Sequence, residues 1–175
     1  MVQPLRRRLG VSLVIILSAL SSLAADRPTP QSVRNLLATK GGPQTVQLLF
    51  EDDATWDLVL KGVSSGRADW LRVAKELRPF TDAHSSETLE MAIEDALLPA
   101  PKLALELFGV EACGDSSLAM EEPSSLAHVL REVAKRKKAV ATVQSQSLAS
   151  TKKECLRLLD ETAKSAPSWN YGPRE

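Results

Sequence analysis

An all-α fold is predicted by three observations on this chain. Ala, Leu, Glu and Lys, all strong helix formers, supply much of the composition. Apolar residues recur at spacings of three and four, and no stretch alternates convincingly as a strand does. Prolines fall at the edges of these stripes. With 175 residues the chain is one domain's worth of protein, and 43% hydrophobic with 25% charged residues excludes disorder as its main state. Aromatics at 4% are too few for stacking platforms that hold nucleic acid or sugar.

The first element is an export signal. Arg6, Arg7 and Arg8 form a positive region, residues 9–20 an apolar stretch, and Ser22-Leu23-Ala24 places small residues before a cut. Residues 1–24 are expected to be a signal peptide cleaved after Ala24, giving a soluble periplasmic or secreted product. The run is interrupted by Ser18, Ser21 and Ser22 and falls short of the roughly 20 residues a span requires. No cysteine follows it to carry a lipid anchor.

Residues 25–165 read as a single α-helical domain of eight helices. Thr29-Pro30 starts the first, Val33, Leu36 and Leu37 form its stripe, and Gly41-Gly42 stops it. Pro43-Gln44-Thr45-Val46 starts the second, echoing Pro30-Gln31-Ser32-Val33 through shared helix-start chemistry. Asp53 caps a third carrying Trp56, Val59, Leu60 and Val63, ended by Ser64-Ser65-Gly66. Trp70, Val73, Ala74 and Leu77 mark the fourth, closed by Pro79. Ser85 or Ser86 opens the fifth, with Leu89, Ile93, Ala96 and Leu97 inward and Glu87 and Glu90 in its first turn, and Pro99 ends it. Pro101 begins a short sixth through Leu103, Leu107 and Phe108. Residues 109–122 read as a loop holding Cys113. The seventh opens at Pro123-Ser124-Ser125 and shows Leu126, Val129, Leu130 and Val133, with Val140 and Val143 as its continuation. The eighth starts at the capping box Thr151-Lys152-Lys153-Glu154 and puts Cys155, Leu158, Leu159 and Thr162 on one face. Residues 166–175 read as a polar tail. Such short links imply a compact array of antiparallel helical hairpins.

Cys113 and Cys155 would meet an oxidising compartment after export and are expected to pair. The bridge would stabilise the fold by about 4 kcal/mol in the chain-entropy description. With His84 and His128 the cysteines show no C-x-x-C or H-x-x-x-H spacing, so neither a metal site nor a cofactor is expected.

Charge is divided along the chain. Residues 25–122 hold nine basic and 17 acidic residues, net −8, and residues 123–175 hold ten and five, net +5. An exported chain does not meet nucleic acid, so the basic half is no DNA-binding arm. Its densest part is Lys135-Arg136-Lys137-Lys138, four cations spread round a helix. Four destinations suit them: solvent, the chain's own acidic half, an acidic partner protein, or anionic lipid headgroups.

Catalytic strings are weak. Gly62-Val63-Ser64-Ser65-Gly66 matches G-x-S-x-G but lies in helix context without a sheet. Ser150-Thr151-Lys152-Lys153 matches S-x-x-K without its companion strings. Neither histidine has an acidic partner at a spacing that would orient it. Glu51, Asp52, Asp53, Glu87, Glu90, Glu94 and Asp95 fall where solvated helix faces and helix N-termini put acids, and the tryptophans fall on core stripes, so no acid stands in an aromatic-lined cleft.

The run Ser65-Gly66, Asp69-Trp70-Leu71, Val73-Ala74 and Leu77-Arg78-Pro79, followed by Thr81-Asp82-Ala83, Ser86-Glu87, Leu89 and Ala96-Leu97, resembles small exported all-helical proteins of proteobacteria. Asp82-Ala83-His84 stands where that resemblance would put a glycine-containing turn. It implies export and an all-α fold and carries over no catalytic residue, those proteins having no established activity. The expected function is a protein-binding module, an adaptor, inhibitor or immunity-type partner of an envelope or secreted protein. Cys113 and Cys155 form its bridge and Lys135, Arg136, Lys137 and Lys138 its docking residues. The alternative is an envelope hydrolase acting on peptidoglycan.

Overall fold

The computed structural model describes residues 27–120, 125–169 and 171, so the signal peptide and cleavage after Ala24 expected from the sequence, with Pro123 and Ser124, lie outside the described residues. Among the described residues the fold is all-α, with nine helices joined by short 3-10 turns. In chain order these are α1 (Pro30–Lys40), α2 (Gly42–Phe50), α3 (Asp53–Ser64), α4 (Ala68–Leu77), α5 (Ala83–Asp95), α6 (Pro101–Phe108), α7 (Ser116–Met120), α8 (Leu126–Ala141) and α9 (Ala149–Ser165).

Helix starts follow local chemistry, in places one step from where the sequence put them. Thr29 caps α1 through a reciprocal box with Ser32. In α3 the cap is Asp52, which accepts from the Thr55 hydroxyl at 2.7 Å, and Asp53 becomes the first helical residue. In α5 it is Asp82, and the expected cap Ser85 serves as its box partner, donating its hydroxyl at 2.6 Å. The capping box expected at Thr151 does not form. The 3-10 turn Gln146–Leu148 feeds α9 its first hydrogen bonds, so the helix begins two residues earlier without a side-chain cap.

The loop expected over residues 109–122 is instead a 3-10 turn, Gly109–Cys113, followed by the five-residue α7. So short a helix has no propensity to stand alone and depends on tertiary contacts. Two hold it. Cys113 is bonded to Cys155, with the Cα atoms 5.5 Å apart and both residues buried, tying this turn to α9. The second is the Glu94 carboxylate, described below.

Trp56 and Trp70 enter the core as their stripes require. Gly62 admits the Trp70 indole, since a Cβ at that position would lie 2.5 Å from the ring. Leu130 departs from its stripe and is 39% exposed, because the inward line of α8 is Val129, Val133, Arg136 and Val140. α8 and α9 form an antiparallel hairpin: Lys152 near the start of α9 donates to the carbonyls of Ala141 and Val143, while Lys137 reaches Asp160 further along. After α9 the chain turns through Ala166–Ser168 and stays packed. Ala166 is buried, Trp169 and Tyr171 lie against the core, and the Tyr171 hydroxyl donates to the Ala166 carbonyl at 2.5 Å.

Candidate functional site

The four consecutive cations separate as soon as the helix is formed. Arg136 stands three residues after Val133 and four before Val140, which aims it inward, and it is 2% exposed. It is therefore no docking residue. Its guanidinium donates to Asp95 at 3.0 Å, to the Ser117 hydroxyl at 2.6 Å and to the Gly114 carbonyl at 3.3 Å, while its Nε has no partner. Beside it lies Glu94, 3% exposed, which accepts the Ser117 backbone N–H at 2.8 Å in the first turn of α7. Gly114 makes room, since a Cβ there would lie 2.2 Å from the Glu94 carboxylate.

Glu94 was expected on a solvated face and is the clearest departure from the sequence reading. Burial pushes its carboxyl above the usual range, against the opposing pull of the Ser117 hydrogen bond and the Arg136 charge. Arg136 forms its ion pair with Asp95 and acts on Glu94 only as a nearby charge, while both side chains bond to Ser117. The pair therefore clamps α7 between α5 and α8 as structure, and Glu94 lines none of the hollows described below.

The other three cations stay outside. Lys135 pairs with Glu132 at 2.6 Å, and Lys137 pairs with Asp160 across the hairpin. Lys138 is exposed with no hydrogen bond or ion pair among the described residues, and so is Arg131 one heptad before it. Residues 131, 135 and 138 follow the i, i+4, i+7 rule, so the outward face of α8 carries Arg131, Lys135 and Lys138 in one stripe. Arg131 stands outside the run of cations along the chain, and the helix, which groups residues by turn, brings it beside Lys135 and Lys138.

None of the catalytic strings assembles. The Ser64 and Ser65 hydroxyls turn back onto the Lys61 and Gly62 carbonyls at the end of α3. Lys153, the lysine of the S-x-x-K string, is exposed and makes no hydrogen bond to Ser150, while its neighbour Lys152 caps the C-terminal end of α8. The His84 ring sits edge-on to Phe50 with centroids 5.6 Å apart. Among the described residues no group of three His, Cys, Asp or Glu side chains is placed to hold a metal ion, and no helix is long and apolar enough to cross a membrane.

Among the described residues, surface hollows remain whose charges differ, the smallest of four, ≈ 140 Å³, holding Glu51 and Asp82 beside Phe50 and Phe80. The largest, of ≈ 720 Å³, runs beside α9 with Val143, Ala149 and Leu156 in its lining and Lys152, Lys153 and Arg157 around them. A second, of ≈ 440 Å³, lies over the disulfide among Glu111, Asp115 and Glu161. A third, of ≈ 260 Å³, lies between α3 and α5 and mixes Asp57, Lys61 and Asp95 with Leu60 and Met91. No protein-family model, curated protein or solved structure matches the chain. Function is read from these side chains alone.

The carboxylates divide into two groups with opposite pH behaviour. Asp82 is held below the usual range by the Ser85 hydroxyl, Asp52 by the Thr55 hydroxyl and Asp160 by Lys137. A folded pKa below the unfolded one contributes stability above the ordinary carboxylate range, lost as pH falls through it. Glu94 is raised, so the unfolded chain gives up that proton first and its contribution falls as pH rises above the ordinary glutamate value. Thermal unfolding should therefore show stability rising from about pH 2 to about pH 4 as the aspartates ionise, and above about pH 4.5 it should fall in the parent relative to Glu94→Gln. An equal pH dependence of the two proteins above about pH 4.5 would contradict a Glu94 carboxyl raised by burial.

Proposed function

We propose that the chain is an exported protein-binding module, cut after Ala24, whose α8–α9 hairpin docks an acidic partner protein. The observation that carries this reading is the outward stripe of Arg131, Lys135 and Lys138, a row about 10 Å long at the rise of an α-helix. Two of its three cations have no partner among the described residues, and the third is held by a pair on its own helix, an arrangement worth only about 0.2–0.5 kcal/mol. Cations laid out this way add little to the fold and are free to attract opposite charge, which sets association rate and partner choice. The acidic half of the chain uses few of them: Arg136 crosses to Asp95, while Lys135, Lys137 and Arg157 pair within the hairpin. Export is supported by the leader-like residues 1–24 and by a disulfide that persists in an oxidising compartment.

Reversing Arg131, Lys135 and Lys138 to Glu in the mature protein tests this. Capture of an envelope protein by the parent should weaken as salt is raised and be lost in the reversed variant, with melting temperature changed only slightly. Capture indifferent to both salt and reversal would reject the hairpin as the binding surface.

A further inference from the structure

We infer, resting on the binding reading above, that the groove beside α9 seats an extended acidic segment of the partner protein, with one aliphatic side chain between carboxylates. Volume comes first. The groove's ≈ 720 Å³ lies within the range of about 300–1,000 Å³ typical of ligand sites, against ≈ 440, ≈ 260 and ≈ 140 Å³ for three other hollows. Its α9 wall from Ala149 to Asp160 is about 16 Å long at the rise of an α-helix, the span of about five extended residues.

Chemistry then selects the occupant. Val143, Ala149 and Leu156 offer an aliphatic floor, and Gln144 and Gln146 offer amides to a peptide backbone. Lys152 holds two carbonyls and so fixes the floor. Arg157 is shared between Glu154 and Glu161, and Asp160 is neutralised by Lys137. Lys153 is exposed and makes no hydrogen bond or ion pair among the described residues, acting only as a nearby charge on Glu154, and with Lys152 and Arg157 against the one lining acid Asp160 the groove carries an excess of positive charge beside an apolar strip. The hollow over the disulfide, with Glu111, Asp115 and Glu161, would repel the same segment. An acidic strand with a leucine between glutamates is therefore complementary to this groove in both charge and apolar floor.

The probe is a fluorescein-labelled peptide with one leucine flanked on each side by two glutamates, read by anisotropy against the mature protein. Binding is expected that weakens as salt rises and falls about tenfold or more in Lys153→Glu and in Leu156→Ser. Lys153→Glu adds an acid near a helix N-terminus, which suits the helix dipole, so loss of the fold will not mimic loss of binding. Lys75→Glu, the same charge change on exposed α4 surface, should leave binding intact. No binding at about 1 mM peptide, the weak end of specific recognition, would overturn the inference. So would equal loss in Lys75→Glu, Lys153-dependent binding to phosphatidylglycerol vesicles without peptide binding, or Lys153-dependent self-association in sedimentation. If envelope capture is lost on reversing the α8 stripe but survives both groove variants, this inference fails and the binding function stands. If the peptide binds the groove while α8 reversal changes nothing, the groove stands and the α8 surface falls.

Discussion

Replacing Arg136 with methionine is expected to cost about 3–5 kcal/mol, because it removes a buried cation that donates to Ser117 and Gly114 and whose charge acts on the buried Glu94. Methionine fits the inward stripe of α8, so packing changes little. What is lost is the positive charge beside Glu94, 3% exposed, together with the donors to Gly114 and Ser117 that hold α7. Asp95, whose side chain is 45% exposed, can turn to water and adds little. For a domain of this size each kcal/mol moves the melting temperature by about 3 °C, so a drop of about 10–15 °C is expected by calorimetry. Lys138→Met on the outward face should stay within about 0.5 kcal/mol. Adding Glu94→Gln to Arg136→Met should recover part of the loss, since the carboxylate no longer needs compensation, and the double-mutant cycle reads that coupling. An Arg136→Met protein as stable as Lys138→Met would show that Glu94 and Arg136 do not depend on one another.

Why this pair was hidden in the sequence is a matter of which signal was read first. Helix positions were legible wherever proline, glycine and capping residues punctuate apolar stripes, as at Thr29-Pro30, Pro79 and Pro101. Where two cap-competent residues stand together, as Asp52 and Asp53 do, the choice depends on which carboxylate meets the Thr55 hydroxyl, and that is settled only by the path of the chain. α7 has five residues and no period to detect, and it exists because Glu94 and the bridge at Cys113 reach it from elsewhere. For Arg136 a local signal was available. Val129, Val133 and Val140 already defined the inward line, and residue 136 completes it at helical spacing. A run of four cations outweighed that geometry. Glu94 has no such signal, because the Ser117 N–H it accepts from lies 23 positions along the chain. Trp169 and Tyr171 were the readable hint that the last residues pack, two aromatics in a stretch otherwise polar.

Replacing both Cys113 and Cys155 with serine should lower stability by about 4 kcal/mol, the loop-closure entropy released when a 42-residue separation is no longer bridged. That corresponds to about 12 °C in melting temperature. Denatured without reductant, the parent should show no thiol that reacts with a labelling reagent, and after reduction two. The serine pair also leaves two hydroxyls where both sulfurs were buried, which adds to the loss. The bridge and the Glu94–Arg136 pair are coupled through the chain between them. Cys113 is next to Gly114, whose carbonyl accepts from Arg136, and Ser117 follows three residues later with the N–H that Glu94 accepts. Freeing Cys113 lets this stretch move, so Arg136→Met should cost less in the serine background than in the parent, a departure from additivity of about 0.5 kcal/mol or more. Additive losses would mean that the bridge acts on the unfolded chain alone. Two reactive thiols in protein recovered from an oxidising compartment, or a double-serine variant that melts within about 2 °C of the parent, would remove the disulfide from the account of how this fold is held.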